Sequence, residues 1–252
     1  MLCRVPACRT AGSVALWEWV RIRLRVAEFT MPQVSGLVIA ILALMLGLPN
    51  ESGAAGRAAP AMLAIPAGVP ARIDGSLKPG EWADADTVVI AIGPEWTVPV
   101  LLKHDGLTLY VAFSNLLQSS NERYPEILLD VAGDRALEWQ QDDWWLHASY
   151  SDCHARGHFD DYDSCAQAHS GWSANNFPLK AGVVEFRVDL GAFGVRPDTS
   201  SAGPALGLAF DVMEQKKGER VSACWPPTAQ LMVPYSWARA RLTPSTRTSR
   251  NH

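Results

Sequence analysis

Short apolar runs, separated by Gly, Pro, Asp and Asn, recur along the chain from about residue 88 onward. The run 183–190, VVEFRVDL, alternates apolar and polar positions, which is typical of a strand with one face in water. No long stretch has the periodicity of a helix. The pattern predicts strands over 88–92, 97–104, 107–114, 126–131, 144–151, 183–190, 206–213 and 236–242.

These strands predict an all-β sandwich, because many short strands separated by turns bury their apolar faces by stacking two sheets. We assign the sandwich to residues 68–242. The Ala- and Pro-rich residues 57–67 are expected to be a linker, and the polar residues 243–252 a disordered tail.

The N-terminal part of the chain has the features of an export signal. The run 37–49, LVIAILALMLGLP, is 13 residues long, which is too short to span a bilayer but right for the apolar core of a signal peptide. Arginines precede it, and small residues follow it at 52–59. We therefore expect residues 1–56 to be a leader, with translation starting at Met1 or Met31. The protein is then exported to the periplasm or beyond the cell, without a stable membrane anchor; the alternative is an uncleaved anchor.

Charge and motifs exclude two classes of function. The formal net charge is −4, and Lys and Arg do not cluster beyond the first residues, so nucleic acid is not an expected partner. The sequence has no G-x-S-x-G, H-E-x-x-H or phosphate loop. A glycoside hydrolase needs two carboxylates on opposite sides of the bond that it cuts, and adjacency in sequence does not place Asp142 and Asp143 in that way. We expect a binding protein rather than an enzyme, and the ten tryptophans suit a surface that stacks on flat apolar faces.

The stretch 140–165, QQDDWWLHASYSDCHARGHFDDYDSC, concentrates aromatic, histidine, cysteine and acidic residues. On a strand, Trp144 and Trp145 point to opposite faces, so one is expected in the core and the other outward. In an oxidising compartment Cys153 and Cys165 are the natural disulfide, and Cys224 is the odd cysteine. We expect the long excursion that follows to form or border a ligand site; the alternative is that it only covers a sheet edge. The candidate ligand-binding residues here are Trp139, Trp144, Trp145, Trp172, Asn175 and Asn176.

The same stretch leaves a metal or haem site open. His154 and His158 have i, i+4 spacing, and His147 with Asp160, Asp161 and Asp163 could complete a zinc or copper site. His147 and Met213 are a candidate axial pair for haem.

The order of several motifs adds to this interpretation. They are IDGSLKPGEWADAD (73–86), LLKHDGLTLYVAF (101–113), PEILLDVAGD (125–134), VVEFRVDLGAFGV (183–195), LGLAFDVMEQKKGERVSACWPP (206–227) and SWARARL (236–242). In this order they resemble the family-9 carbohydrate-binding modules and their DOMON-like β-sandwich relatives, over nearly all of residues 68–242.

The resemblance implies a jelly-roll-like sandwich of two antiparallel sheets that binds sugars without catalysis and often holds structural calcium. For calcium, Asp130 and Asp134 are the candidate ligands, and Asp142 and Asp143 could join them. Such modules usually accompany a glycoside hydrolase, so a separate hydrolase is an expected partner.

Members of this family that bind sugar clamp it between two aromatic side chains. The first position falls at Arg123 and Tyr124 here, and Tyr235 is nearest to the second, while Trp237 matches a core position. The expected function is thus an exported, non-catalytic carbohydrate-binding protein that assists polysaccharide breakdown. The alternatives are a metal- or haem-binding periplasmic protein and a structural domain of the cell envelope.

Overall fold

A computed structural model describes residues 62–94, 96–117, 122–148, 153–156, 163–164, 171–175, 182–196, 205–216 and 219–243. These residues form thirteen strands and one short 3-10 helix, Pro234–Ser236. The strands are β1 (Met62–Ile65), β2 (Asp86–Ile92), β3 (Trp96–Asp105), β4 (Thr108–Phe113), β5 (Glu122–Asp130), β6 (Asp143–Ala148), β7 (Cys153–Arg156), β8 (Asp163–Ser164), β9 (Trp172–Ala174), β10 (Val184–Asp189), β11 (Ala205–Lys216), β12 (Glu219–Trp225) and β13 (Ala238–Leu242).

The strands form two sheets. The smaller sheet has the order β2-β3-β4-β10-β9, with antiparallel pairing throughout. The larger has the order β1-β13-β11-β5-β6-β7-β8. One edge of β11 pairs with β5, and the other is shared by β13 and β12. Only the β1–β13 pair among the described strands is parallel. The predicted all-β sandwich is confirmed, and each of the eight predicted strands corresponds to an observed strand.

The main core lies between the sheets. Three phenylalanines cross it: Phe113 of β4 contacts Phe186 of β10 and Phe210 of β11 edge to face, with both centroid distances 5.8 Å. Alternating residues of β5 and β11, such as Ile127 and Leu208, are fully buried beside them. Every second residue of these two strands enters this core, and residues between them, such as Leu128 and Ala209, are buried on the opposite face.

The outer surface of the smaller sheet is covered by the segment that contains the opening motif. Trp82 packs there with Tyr110 and Ala112. The carboxylate of Glu185 accepts hydrogen bonds from the amides of Asp74 and Gly75 at 2.9 and 2.7 Å and from Trp82 Nε1 at 3.2 Å. These contacts hold the opening motif against β10.

Two expectations need correction. Within residues 57–67, which composition assigns to a linker, the structure has β1, whose Leu63 and Ile65 are buried against the core. The excursion after β6 is not only a loop, because β7 and β8 continue the larger sheet at its edge. No helix in the part of the chain that the structure describes is long and apolar enough to cross a membrane. The predicted leader and the cleavage region lie outside the described residues, so export stays a prediction.

Candidate functional site

Several titratable side chains lie on the outer face of the larger sheet, opposite the core: Glu126, Asp130, Asp143, His147 and Asp211. Along β5, alternate residues that face outward are Tyr124, Glu126, Leu128 and Asp130. Pairing with β6 and β11 sets their neighbours, because directly opposed residues of paired strands share a face. From one end of β5 to the other, the opposed residues are Met213 to Tyr124, Asp211 and His147 to Glu126, Ala209 and Trp145 to Leu128, and Gly207 and Asp143 to Asp130.

A carboxylate–imidazole pair lies near the middle of this face. Glu126 Oε1 is 2.8 Å from His147 Nδ1, and both side chains are buried. The rings of Tyr124 and Trp145 flank the imidazole, with centroid distances of 5.6 and 5.3 Å. Tyr124 and Trp145 are half-buried. The arrangement combines apolar ring surface with polar groups held in one orientation. We call Tyr124, Glu126, Trp145 and His147 the aromatic–histidine patch.

Asp211 of β11 lies directly opposite Glu126, on the side of β5 away from His147. Burial raises the pKa of its carboxyl well above the ordinary value, and the charge of Glu126 and a hydrogen bond to Glu126 raise it further. Asp211 is therefore held protonated over a pH range in which an exposed carboxyl is ionised. A carboxylic acid beside a carboxylate can share its proton with it, so the two groups together carry less charge than their number implies.

Three carboxylates meet at the other end of the face. One ligand oxygen each from Asp130, Asp142 and Asp143 lies within 4.8 Å of the others. Asp130 accepts hydrogen bonds from the amides of Gly133 and Arg135, at 2.6 and 3.0 Å. We call Asp130, Asp142 and Asp143 the aspartate cluster.

Electrostatics shows that this cluster is crowded with negative charge. Burial, followed by the charges of the neighbouring aspartates, raises the pKa of Asp143 to about 7, although a hydrogen bond from the Gln140 amide lowers it. Burial also raises the pKa of Asp130. Several carboxylate oxygens close together match the donor set that Ca²⁺ takes. The cluster could therefore hold a divalent cation.

The predicted calcium pair is only partly brought together. Asp130 belongs to the cluster, but Asp134 is exposed, and its Oδ1 accepts a hydrogen bond from the Ala136 amide at 2.9 Å. Asp142 and Asp143, rather than Asp134, complete the group around Asp130. Calcium itself stays a prediction.

A loop, residues 226–237, lies over the outer face beside the cluster. Trp237 is fully buried and contacts Trp139 edge to face at 6.0 Å. Leu128 and Ala209 belong to this second apolar cluster, and half-buried Trp145 packs against it. Arg135 joins the loop to the aspartate cluster, because its Nη2 donates to the Tyr235 carbonyl at 2.6 Å and its guanidinium lies 4.4 Å from the Tyr235 ring centroid.

The expected division of Trp144 and Trp145 is observed. Trp144 packs at the main core against Phe193, with a centroid distance of 4.8 Å, whereas Trp145 lies on the outer face. The outward tryptophan beside acidic side chains is thus Trp145.

Other candidate ligand contacts are placed in packed regions. Trp172 is 7% exposed and stacks on Phe186 between the sheets. Arg123 is 2% exposed on the core side of β5, where it pairs with Glu214 at 3.3 Å and lies 4.3 Å over the Trp96 ring. Trp139 is 4% exposed. A buried ring has no face for a sugar, so contact by these residues would require the structure to open.

Of the two candidate asparagines, the structure describes only Asn175. Asn175 Oδ1 accepts a hydrogen bond from the Glu185 amide at 2.6 Å, which ties the end of β9 to β10 in the smaller sheet. This position is on the opposite sheet from the aromatic–histidine patch. Asn176 lies outside the described residues.

The predicted disulfide and metal loop fall mainly on undescribed side chains. Cys165 and His158 lie outside the described residues, and the structure describes only the backbone of Cys153 and His154. His147 and Met213, the candidate haem ligands, share the outer face, but β5 lies between their strands and places Glu126 and Tyr124 in the space separating them.

Sequence reasoning missed Glu126 and Asp211 as site residues. Glu126 begins the largely apolar run EILLDV, and Asp211 lies near the end of the run LGLAFDV. The period of two assigns both positions to the outer face. That signal indicates where each carboxylate points. It does not indicate that two strands distant in sequence pair so that the carboxylates meet.

Comparison with solved structures identifies the fold. One structure, a family-9 carbohydrate-binding module from Caldicellulosiruptor kristjanssonii in complex with cellotriose, matches with a TM-score of 0.54 and 19% identity, over 76% of this chain and 98% of that chain. A family-9 module from the same organism in complex with glucose matches with a TM-score of 0.52 and 18% identity, over 75% of this chain and all of that chain. The chain has the fold of a family-9 carbohydrate-binding module. No family model and no curated protein matches the sequence.

This family-9 fold confirms the resemblance drawn from the motif order. At this level of identity the match establishes the architecture, and the aromatic–histidine patch must be judged on its own residues.

Proposed function

We propose that this is an exported, non-catalytic carbohydrate-binding protein whose ligand lies on the outer face of the larger sheet. The observation that carries the proposal is the half-buried Trp145 ring beside the Glu126–His147 pair, at a 5.3 Å centroid distance from the imidazole. The family-9 neighbours in complex with cellotriose and glucose support carbohydrate as the ligand class.

The patch has the chemistry that sugar recognition needs. An aromatic ring offers a flat apolar face to the C–H groups of a pyranose, and the polar groups around it bond to hydroxyls. Glu126 accepts from His147 Nδ1, so the orientation of the imidazole is fixed before any ligand arrives. Tyr124, at the position of the family's first clamp residue, supplies a second ring 5.6 Å from the imidazole.

Calcium has a structural role in this proposal. Asp130, Asp142 and Asp143 would hold the cation, which would neutralise their mutual repulsion. The cation would thereby order the turn that follows β5. No chemical step depends on it. A separate glycoside hydrolase that associates with this protein would be kept near the polysaccharide to which this protein binds.

Retardation of the purified full chain in native gels tests the function. The gels contain hydroxyethyl cellulose, soluble xylan or soluble mannan, with calcium or a chelator. We expect retardation by at least one polymer. Trp145→Ala should weaken binding at least about tenfold, since aromatic residues at the centre of an interface commonly contribute more than about 1.4 kcal/mol.

A matched control is Val89→Ala, an exposed position on the smaller sheet, which should leave retardation unchanged. Folded wild-type protein that passes through all three gels without delay would contradict the proposal. A metal content or a visible absorption spectrum in that protein would instead support the metal- or haem-binding alternative.

A further inference from the structure

Three hydrogen bonds and one ring contact connect the aspartate cluster to the loop at residues 226–237. The Arg135 amide donates to Asp130 Oδ2 at 3.0 Å, and the Arg135 guanidinium donates to the Tyr235 carbonyl at 2.6 Å. The same guanidinium lies 4.4 Å from the Tyr235 ring centroid. One residue further on, the Ala136 carbonyl accepts from the Tyr235 amide at 2.8 Å. Arg135 therefore contacts a cluster carboxylate with its backbone and the loop with its side chain.

The backbone of Arg135 is held in an uncommon conformation. Its φ is 58°, in the left-handed region that few residues other than glycine adopt. Such a conformation costs on the order of 1 kcal/mol or more and persists where the surrounding contacts determine it. Here the contact is the bond from the Arg135 amide to Asp130. The geometry of the cluster thus fixes the direction in which the Arg135 side chain leaves the turn.

The loop in turn contributes to the outer face. Trp237 donates from Nε1 to the Gln230 carbonyl at 2.9 Å and packs with Trp139, and both belong to the apolar cluster that supports Trp145. Tyr235, half-buried, is nearest to the position of the second aromatic clamp of the family. A shift of the loop would move Tyr235 and change the packing under Trp145.

We propose that Arg135 is a positioning residue that couples cation binding at the aspartate cluster to carbohydrate binding at the outer face. This inference rests on the proposed function. A cation that draws Asp130, Asp142 and Asp143 together fixes the Asp130 carboxylate, and through Arg135 it fixes Tyr235. Binding at two coupled sites is reciprocal: if calcium raises sugar affinity by some factor, sugar raises calcium affinity by the same factor.

The test is a coupling measurement on the full chain. Retardation in gels of hydroxyethyl cellulose, soluble xylan and soluble mannan gives the sugar affinity with calcium and with chelator. Calorimetric titration with calcium, with and without the retarding polymer, gives the cation affinity. We expect wild-type protein to show the same factor in both directions, about tenfold, within the usual range for coupled sites.

Substitutions at Arg135 should remove the coupling while leaving the two sites themselves in place. In Arg135→Ala, calcium should still bind and raise the melting temperature, but the coupling factor should fall to near one. Arg135→Gly serves if the alanine variant is poorly folded, because glycine accepts the positive φ at no steric cost. Arg135→Lys keeps a charge over the Tyr235 ring without the planar guanidinium and should retain part of the factor. Arg187→Ala, at an exposed arginine on β10, is the matched control and should behave as wild type.

Each contrary outcome has a distinct meaning. Wild-type protein that no gel retards contradicts the proposed function. Retardation that is equal with and without calcium contradicts the coupling alone, as does the absence of calcium binding. A full coupling factor in both Arg135→Ala and Arg135→Gly shows that the two sites communicate by another route and overturns the role of Arg135.

Discussion

Glu126 and His147 lie directly opposite each other on β5 and β6, and their side chains meet at 2.8 Å in a buried position. Glu126 also faces Asp211 of β11 across the other edge of β5. One glutamate therefore contacts an imidazole on one side and a carboxyl group of raised pKa on the other. The resulting row of polar side chains crosses three strands on the outer face.

Replacing Glu126 by glutamine should reduce the pH dependence of stability. In the wild type, the folded-state pKa of Asp211 is raised by burial first and by Glu126 next. A raised carboxyl pKa stabilises the fold at low pH, and this contribution is lost as the pH rises through the folded-state value. In Glu126→Gln that loss should be smaller, since the neighbouring charge is gone. Urea unfolding between about pH 5 and pH 9 measures the difference. If the free energy of unfolding changes equally with pH in the two proteins, the prediction is wrong. Glu138→Gln, at an exposed position, is the control.

Stability of the metal-free protein should also depend on Asp143. Its folded-state pKa of about 7 lies roughly three units above that of an unfolded aspartate, so ionising it costs at most about 4 kcal/mol. The sign follows from linkage: the contribution is complete below about pH 4 and is lost as the pH rises through about 7. We expect melting temperatures in chelator to fall over this window, and calcium to offset the fall by binding the ionised cluster. Asp143→Asn should flatten the curve in chelator; a wild-type curve that is already flat would refute the assignment.

Glu185→Gln should destabilise the fold by about 1–3 kcal/mol, because a buried carboxylate that accepts three hydrogen bonds is replaced by a group with one acceptor oxygen. The loss should appear in urea unfolding as a lower midpoint with an unchanged slope. Carbohydrate retardation should be preserved at temperatures where the variant is folded, since Glu185 lies on the opposite sheet. Loss of retardation in well-folded Glu185→Gln protein would place the ligand elsewhere.

Gly207→Ala should disturb the aspartate cluster. A Cβ at this position would lie 2.7 Å from Asp130 Cβ and 2.8 Å from Asp130 Oδ2, closer than packed atoms approach. Either the strands separate or Asp130 rotates away, at a cost of about 1–3 kcal/mol. We therefore expect a weaker calcium-induced rise in melting temperature. Gly191→Ala, where the nearest atom is 3.2 Å away, is the matched control; equal calcium responses in both variants would show that Asp130 is not a ligand.

The local pattern was enough to predict much of the fold. The alternation in VVEFRVDL predicted β10, and a near-continuous apolar run predicted β11. Both signals are local, because the burial pattern of a strand is visible in consecutive residues. The same pattern failed at β1. Residues 62–65 are short and lie among Ala and Pro, and they form a strand because β13 offers a free edge beside them. Propensity could not indicate a partner more than 170 residues away.

For the candidate site, the sequence by itself determined which face of a strand each side chain points to, but not which residues of other strands lie beside it. Period two assigned Trp144 and Trp145 to opposite faces, and composition showed that aromatic and acidic residues were abundant. Only the tertiary structure decided that Trp172 and Arg123 are buried and that Asp142 and Asp143 join Asp130. It also decided that Glu126 lies between Asp211 on one side and His147 on the other. The physical reason is that strand pairing and register bring together residues remote in sequence. A shift of one residue in register would turn every one of these side chains to the other face.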